Sequence, residues 1–312
     1  MNQSPKAFVG VDISKETFDV FINVGNFYQK FTNNQTGHVD FINLLKNYEV
    51  AQIVMEATGR YHCVLAANLS VENYPVSVVN PRQVKHFSLS LGNLAKTDKL
   101  DAMVLSRFAQ VVLPPLTVAS DEQTQRLAQM VTRRRQLIDM RTMEKNRLDG
   151  VHLDVAELIH HHIEWLNSQI KDLDDDIGRQ LRVMPLWQEK AKILSSVKGV
   201  GPTTTATLLA LLPELGTLSR RKISALVGVC PYSHDSGKLK GKRAIWGGRS
   251  AVRAALYMAA LVAKKNNKEI KRFYDGLIAR GKLKKVALTA CIRKLVTILN
   301  AMVRDGREWA AN

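Results

Sequence analysis

The chain has few cysteines, and those it has stand far apart. Cys63, Cys230 and Cys291 are the three cysteines in 312 residues, and none belongs to a CxxC pair. This spacing speaks against a disulfide framework and against a cysteine-based zinc site. We therefore expect three buried thiols in a cytoplasmic protein.

Signals for membrane insertion and export are also missing. No uninterrupted apolar run reaches about 18 residues, the length that would predict a transmembrane helix. The first residues, MNQSPKAF, lack the charged-then-apolar pattern of a secretory signal. We therefore expect neither a membrane span nor export.

Acidic residues are scarce in one part of the chain only. Residues 1–111 and 112–229 carry net charges of +1 and +2, whereas residues 230–312 hold 19 basic and 5 acidic side chains, a net charge of +14. Such a concentration of positive charge predicts a polyanionic partner. Glycine and turn residues interrupt the basic tract, and it lacks a broad apolar face with aromatic anchors. Nucleic acid is therefore favoured over an anionic membrane surface.

The length allows about two domains, and the pattern along the chain divides it into three regions. Residues 1–112 alternate short apolar strands with helices, which predicts a mixed α/β domain of the ribonuclease H class. Residues 113–185 are predicted to form a helical hairpin or coiled coil, and residues 186–312 a mainly α-helical domain. In the first region we predict the strands 7–13, 17–24, 27–31, 51–56 and 76–79 and the helices 37–47, 60–73 and 97–110.

The middle region follows a Pro-Pro pair and contains two long helical stretches, near 121–149 and 163–182. Apolar residues in the second stretch recur at steps of three and four, which defines a heptad seam. The seam consists of Ile163, Leu166, Ile170, Leu173 and Ile177. An internal spacer and an assembly element fit this pattern equally well. His160, His161 and His162 are consecutive and cannot share a helix face, so we expect a polar junction between helices there.

Four acidic residues occupy positions at which a ribonuclease-H-like fold would hold catalytic metal. Asp12 lies within the first apolar strand and Glu56 ends the apolar run AQIVME, and a buried carboxylate without a partner is costly. Asp98 and Asp101 share one face at the start of a helix, near the positive end of its dipole. Such oxygen ligands suit Mg²⁺, with Mn²⁺ as an alternative, and two ions could flank a scissile phosphate. The alternative is that each acid is a solvated surface residue or, for Asp98, a helix cap.

A second motif, VKGVGPTTTATLLA, predicts a helix-hairpin-helix unit. Its Gly-x-Gly turn precedes a helix that starts at Pro202. Backbone N–H groups at such a helix start bind phosphate without reading sequence. The candidate contacts are Lys198, Gly199, Gly201 and Thr203. A plain turn between two helices with a glycine cap is the alternative.

The third motif is an Asp-Ser-Gly sequence in a polar loop rich in glycine and lysine. Ser236 lies in this loop, and cations around it would stabilise charge if the serine attacked a phosphate. A turn-forming role is the alternative. Ser250 is a weaker candidate for the nucleophile, and we expect it to cap the helix that follows. The candidate nucleic-acid contacts of the basic C-terminal region are Lys238, Lys240, Lys242, Arg243, Lys282, Lys284 and Lys285.

Five segments occur in an order that resembles a known family. They are GVDISK, VMEATGRY, NPRQVKHF with AKTDKLDA, KGVGPTTTATLLA, and GVCPYSHDSG with GGRSAVRAALYMAA. Together they resemble the DEDD-type transposases of the IS110 family, which also includes invertases of pilin genes. The resemblance extends over residues 6–300.

The resemblance implies both a fold and a mechanism. The N-terminal domain would be RuvC-like and carry the acidic tetrad, and the C-terminal domain would supply Ser236 as the nucleophile. Family members move or invert DNA, and some use a structured non-coding RNA of their own element to pair with donor and target DNA. A homo-oligomer is implied, a dimer or a dimer of dimers, in which each active site combines domains of different subunits. The expected location is the bacterial cytoplasm, at the nucleoid.

Two other functions stay open at this point. A structure-selective endonuclease, such as a Holliday-junction resolvase, would use the tetrad with water and would not need Ser236. A non-catalytic nucleic-acid-binding protein would use only the basic C-terminus and the hairpin. A protein–DNA adduct that survives denaturation separates these functions, because only the recombinase predicts one.

Overall fold

The protein is represented by a computed structural model, in which the chain forms two compact units. They consist of residues 1–120 and 121–312, so the division falls shortly after the Pro-Pro pair. A separate domain at 113–185 stays a prediction. The structure describes residues 5–57, 59, 61–92, 95–117, 121–233, 235–237, 241 and 243–310.

The first unit is built on a mixed five-stranded sheet. Its strands are β1 (Ala7–Ile13), β2 (Thr17–Ile22), β3 (Phe27–Thr32), β4 (Val50–Glu56) and β5 (Val76–Val79). They lie in the order β3-β2-β1-β4-β5. The first three form an antiparallel meander, and β4 and β5 continue the sheet parallel to β1. The predicted strands and the meander are confirmed.

Four helices flank this sheet in the described part of the unit. They are α1 (Gln35–Leu45), α2 (His62–Val71), α3 (Pro81–Ser90) and α4 (Asp98–Val112). Helices α1 and α2 pack on one face of the sheet, and α3 and α4 pack on the other. The sequence analysis missed α3, although its start carries ordinary signals. The Asn80 side chain accepts a hydrogen bond from the N–H of Arg82 at 2.9 Å, and Pro81 is the first helical residue.

Strand alternation decides which side chains face α4. The odd-numbered residues of β1 pack toward α1 and α2, so Gly10 and Asp12 face α4. In β4, Val54 packs in the cluster that contains α4, and Glu56 follows it on the same face. Asp19 of β2 pairs with Asp12 across the antiparallel ladder and therefore lies on this face too.

Gly10 allows α4 to lie directly on β1. A Cβ atom at this position would lie 2.0 Å from the carbonyl oxygen of Ala102 and 2.3 Å from the backbone nitrogen of Ser106, both in α4. The Ser106 hydroxyl donates a hydrogen bond to the carbonyl of Phe8 at 2.7 Å. These contacts fix the helix that carries two of the predicted acids to the strand that carries a third.

The second unit is mainly helical. Its described part contains α5 (Glu122–Arg147), α6 (Leu153–Val183), α7 (Pro185–Ser195), α8 (Pro202–Leu211), α9 (Arg220–Val227), α10 (Ser250–Asn266), α11 (Lys268–Ala279) and α12 (Lys284–Asp305). Two short antiparallel strands, β6 (Pro231–Tyr232) and β7 (Ala244–Ile245), pair between α9 and α10. One large apolar core contains residues of every helix from α7 through α12. A smaller apolar cluster contains residues of α5, α6, α7 and α8.

Helices α5 and α6 form an antiparallel hairpin. Near its middle, Arg134 donates to a carboxylate oxygen of Asp174 at 2.9 Å, and further along Arg141 donates to Asn167 at 2.8 Å. Four of the five predicted seam residues are buried, and Leu173 packs beside them. The prediction of a helical hairpin is confirmed, and coiled-coil geometry stays a prediction.

The start of α6 differs from the prediction. The helix begins at Leu153, so His160, His161 and His162 lie inside it and the predicted junction is wrong. Leu153 and Leu158 are 82% and 70% exposed. These first turns bury no apolar stripe and so carry no periodic signal.

Helix α12 is long and apolar enough to cross a membrane by length and composition alone, although no uninterrupted run predicted it. Half of its most apolar window is buried inside the unit. Residues such as Leu295 and Leu299 belong to the core that α12 shares with α10 and α11. The apolar face of this helix therefore packs in the core of the unit.

Candidate active site

Asp12 and Glu56 lie side by side on the sheet. In the parallel pairing of β1 with β4, Val11 is opposite Met55, so the residues that follow them are neighbours on the opposite face. Both carboxylates are half-buried at the carboxyl ends of their strands. The register of β1 and β4 thus brings these two acids together, as predicted.

Asp98 and Asp101 enter from the first turn of α4. The Thr97 hydroxyl accepts a hydrogen bond from the N–H of Leu100 at 3.2 Å, so Thr97 is the cap and Asp98 is the first helical residue. The hypothesis that Asp98 caps this helix is therefore wrong. Because Thr97 is the cap, neither the Asp98 nor the Asp101 carboxylate is used for capping.

Burial and repulsion by neighbouring carboxylates raise the pKa values of Asp12, Glu56 and Asp101. The pKa of Asp12 is raised to about 6, first by burial and then by Asp101, Asp98 and Asp19. The pKa of Glu56 is raised to about 7, first by burial and then by Asp12 and Asp101. Burial also raises the pKa of Asp101. The carboxylates are therefore close enough to repel one another, a state that a cation would relieve.

The fifth acid of the cluster, Asp19, was not predicted. It is 4% exposed and lies on β2 opposite Asp12. The Tyr28 hydroxyl donates to Asp19 at 2.5 Å, and Lys30 Nζ lies 3.3 Å from an Asp19 oxygen and 3.2 Å from an oxygen of Asp98. The signal was present in TFDVFI, where one carboxylate interrupts an apolar strand as Asp12 does.

The donor set of this cluster fits a hard divalent cation. Its carboxylate oxygens are the ligands that Mg²⁺ and Mn²⁺ prefer, and burial, followed by neighbouring like charge, raises the pKa values of Asp12, Glu56 and Asp101. Among the residues that the structure describes, however, no three Asp, Glu, His or Cys side chains converge to hold an ion. The exposed Asp98 side chain pairs with Lys30 instead. Metal binding by all four predicted acids would require this side chain to turn.

Ser236 is exposed in the loop between β6 and β7. Gly237 follows in the left-handed conformation, with φ 54°, and Asp235 accepts a hydrogen bond from the N–H of Gly241 at 3.0 Å. Ser236 therefore sits on a tight, exposed backbone. Arg243 is exposed at the start of β7. Lys238, Lys240 and Lys242 lie outside the described residues.

Ser250 does not cap α10, contrary to our expectation. Arg249 occupies the cap position, without a capping side-chain hydrogen bond, and Ser250 is the first helical residue. The Arg249 guanidinium donates to Glu214 at 2.6 Å and to the carbonyl of Leu211 at 3.0 Å. These contacts, which anchor the start of α10 to the end of α8, determine where the helix begins.

The turn between α7 and α8 contains the predicted hairpin residues. At Gly199, φ is 109°, and a Cβ atom would lie 2.7 Å from the backbone nitrogen of Ala263 in α10. Packing on α10 therefore explains this glycine. Lys198 and Gly201 are exposed, and the half-buried Thr203 hydroxyl lies 3.4 Å from a carboxylate oxygen of α6. Phosphate binding by this turn stays a prediction.

The remaining basic candidates lie where α12 begins. Lys282 precedes the helix and Lys284 and Lys285 form its first residues, and all three are exposed. None has an ion pair with another described residue. They are free to contact an anionic partner.

An acidic cluster on a mixed sheet, followed by a basic helical unit, is an arrangement that suits an enzyme acting on DNA. Residues 9–156 match the DEDD transposase family of IS110, and residues 191–275 match the family described as transposases of the IS116/IS110/IS902 group. The chain belongs to the IS110 family of transposases. Its activity is therefore that of a DNA recombinase, and DEDD transposases generally depend on a divalent metal ion.

Two relatives are similar over nearly the whole chain. The pilin gene-inverting proteins of Moraxella lacunata and Moraxella bovis are each 30% identical over 97% of this chain and 98% of their own length. A protein of the insertion element IS110 from Streptomyces coelicolor is 29% identical over 45% of this chain and 34% of its own. The similarity to the inverting proteins thus includes both units.

Proposed function

We propose that this protein cuts and rejoins DNA strands with an acidic, metal-binding tetrad on a RuvC-like unit and a serine nucleophile. The observation that carries the proposal is the half-buried pair Asp12 and Glu56, whose pKa values are raised first by burial and then by neighbouring carboxylates that include Asp101, in a chain of a recombinase family. Carboxylates repel DNA unless a cation neutralises them. A protein that only bound DNA would gain nothing from this cluster.

The tetrad and Ser236 have different roles in this reaction. The four acids would hold Mg²⁺, or Mn²⁺ in its place, and the bound metal would stabilise negative charge on the phosphate. Ser236 Oγ loses its proton and forms a bond to phosphorus, while the bond from phosphorus to one deoxyribose oxygen breaks and that oxygen gains a proton. One phosphodiester replaces another, so the reverse reaction can join the serine-bound phosphate to a new strand end. Hydrolysis by water would not conserve that bond.

Ser236 and the tetrad belong to different units of the chain. We propose that they meet in a composite site within a homo-oligomer, a dimer or a dimer of dimers. The family resemblance supports this assembly. Such a site would be complete only on assembled DNA, which would limit unwanted cleavage.

The proposed partners are donor and target DNA, together with a guide RNA from the same element. The whole-length similarity to pilin gene-inverting proteins supports inversion of a DNA segment, with transposition as the alternative. The family resemblance supports the RNA, whose base pairing would then supply specificity. This activity would take place in the bacterial cytoplasm, at the nucleoid. The proposed nucleic-acid contacts are Lys198, Gly199, Gly201, Thr203, Lys238, Lys240, Lys242, Arg243, Lys282, Lys284 and Lys285.

Replacement of the acids tests the tetrad. Asp12→Asn or Asp101→Asn should reduce Mg²⁺-dependent strand cleavage at least about a hundredfold, because each removes a charged metal ligand. DNA binding, measured in parallel, should be unchanged or tighter because a negative charge has been removed. Asp40→Asn, which removes the same charge from an exposed position on α1, is the control and should cleave normally. Full cleavage by Asp12→Asn would disprove the metal site.

A further inference from the structure

We propose that a groove between α11 and α12 binds an unpaired DNA strand, with a base against Phe273 and phosphates on two arginines. This inference rests on the proposed function for the identity of the strand. The groove has a volume of about 410 Å³, within the range of pockets that hold small ligands. Its lining residues are Glu269, Arg272, Phe273, Gly276, Arg280 and Lys294.

The groove has two positive charges that no residue in the described part of the chain neutralises. Lys294 Nζ lies 3.4 Å from an oxygen of Glu269, so these opposite charges compensate one another. Arg272 and Arg280 are exposed, and neither forms an ion pair with another described residue. Planar guanidinium groups bind phosphate oxygens through bidentate hydrogen bonds. The net charge of the groove therefore suits two phosphates of a strand.

The same groove has an aromatic ring in its wall. Lys294 Nζ lies over the half-buried Phe273 ring, 5.0 Å from its centre, and the ring also packs against the core of the unit, so a base would stack on this ring in place of the lysine. One turn further along α11, a Cβ atom on Gly276 would meet nothing within 4 Å. Residues three and four apart on a helix lie on one face, so Phe273, Gly276 and Arg280 follow one another along the groove.

Aromatic and arginine side chains in one groove favour an unpaired strand over a duplex. A duplex offers its phosphates, but its bases are stacked on one another and have no free face. A single strand offers both a phosphate backbone and a base face, and stacking on an aromatic side chain tolerates any base. Strand exchange transiently separates the two DNA strands, which would provide this ligand. A single-stranded RNA is the competing occupant that the experiment has to exclude.

The aromatic contact can be tested on the full chain by fluorescence anisotropy, in EDTA so that no cleavage occurs. Phe273→Leu should weaken binding of a 12-nucleotide single-stranded DNA about tenfold, the effect of losing one stacked base. An abasic strand of the same length should bind the wild type and Phe273→Leu with equal affinity. Equal weakening for the abasic strand, or none for the ordinary strand, would overturn base stacking.

The phosphate contacts need a control of equal charge. Arg272→Gln with Arg280→Gln should weaken single-strand binding about tenfold. The slope of the logarithm of the binding constant against the logarithm of the salt concentration should become less steep by roughly 1.4, as expected for two lost phosphate contacts. Lys265→Gln with Lys268→Gln removes the same charge from exposed positions outside the groove. It should change affinity less than twofold. Equal loss in both doubles would refute the groove.

Two further outcomes separate the competing explanations. If RNA of the same sequence binds more tightly than DNA, and Phe273→Leu removes that difference, the DNA assignment is wrong. The groove and the proposed function can also fail independently, because binding in EDTA does not involve the tetrad. Wild-type binding by both groove variants would refute the groove alone, whereas normal cleavage by Asp12→Asn would refute the proposed function alone.

Discussion

The acids of the first unit are held together against their own repulsion. Asp12 and Glu56 are half-buried neighbours, and burial and neighbouring carboxylates raise their pKa values to about 6 and about 7. Strongly perturbed carboxylates are typical of functional sites. A lone acid in or at the end of an apolar strand was the signal that selected Asp12 and Glu56, and the register of β1 and β4 makes them neighbours. Asp19 satisfied the same criterion, but its partners Tyr28 and Lys30 come from β3, and only the strand pairing brings them to it.

The raised pKa of Glu56 predicts a pH-dependent stability of the metal-free protein. Between about pH 4 and pH 7 the folded cluster binds more protons than the unfolded chain, so the free energy of unfolding should fall as the pH rises. Glu56→Gln should remove part of this fall. In urea unfolding with EDTA, we expect the variant to match the wild type at pH 5 and to be about 1 kcal/mol more stable at pH 8, because solvent partly screens these half-buried charges.

The difference in stability between Glu56→Gln and the wild type does not include the effect of histidine titration. Burial lowers the pKa of His38, so that group stabilises the fold as the pH rises, the opposite direction. It is present in both proteins and cancels in their difference. A Glu56→Gln protein that is less stable than the wild type at both pH values would contradict the repulsion.

The lysine beside the cluster gives a prediction about metal affinity. Lys30 pairs with Asp98 as well as with the buried Asp19, so in the proposed metal site it would compete with the cation for the Asp98 carboxylate. Lys30→Met should tighten Mn²⁺ binding about three- to tenfold in calorimetry, because it leaves the cluster one charge more negative. Lys15→Met, which removes an exposed charge from the same unit, should have little effect. Weaker Mn²⁺ binding by Lys30→Met would show that the lysine positions Asp98 for the metal.

At the level of elements, the site depends on how one helix lies on one strand. The sequence predicted a helix over 97–110 with Asp98 and Asp101 on one face, and an apolar run predicted β1. The closeness of their contact depends on Gly10, whose missing side chain gives no sequence pattern of its own. Other elements escaped prediction for similar reasons. Helix α3 is short and mostly exposed, and the first turns of α6 bury no apolar stripe.

Gly10→Ala should separate α4 from β1. The added Cβ would lie 2.0 Å from a backbone oxygen of α4, and backbone cannot yield as a flexible side chain can. We expect a loss of about 3 kcal/mol or more in the free energy of unfolding and loss of DNA cleavage, since Asp98 and Asp101 move with the helix. Gly178→Ala in α6, where only an arginine side chain lies near the added atom, should leave both unchanged or improve stability. Wild-type stability of Gly10→Ala would contradict the proposed seating of α4.

For the whole molecule, charge is distributed unevenly along the chain. The unit that carries the acidic cluster is nearly neutral, whereas residues 230–312 hold a net charge of +14. Charge counting alone predicted that the C-terminal part would contact nucleic acid. It could not distinguish exposed cations such as Arg272 and Lys285 from Arg249, which pairs with Glu214 to fix α10. That distinction depends on contacts between residues far apart in sequence.

In the proposed mechanism, strand cleavage transfers DNA to Ser236 under control of the acidic tetrad. Denaturing electrophoresis after reaction with Mg²⁺ and element-end DNA, followed by mass spectrometry of the adduct peptide, tests it directly. We predict a protein–DNA adduct that carries nucleotide on Ser236, is kept by Ser250→Ala, and is absent from Ser236→Ala and from Asp12→Asn. A Ser236→Ala protein that still recombines DNA, or an adduct that maps to Ser250, would contradict the account.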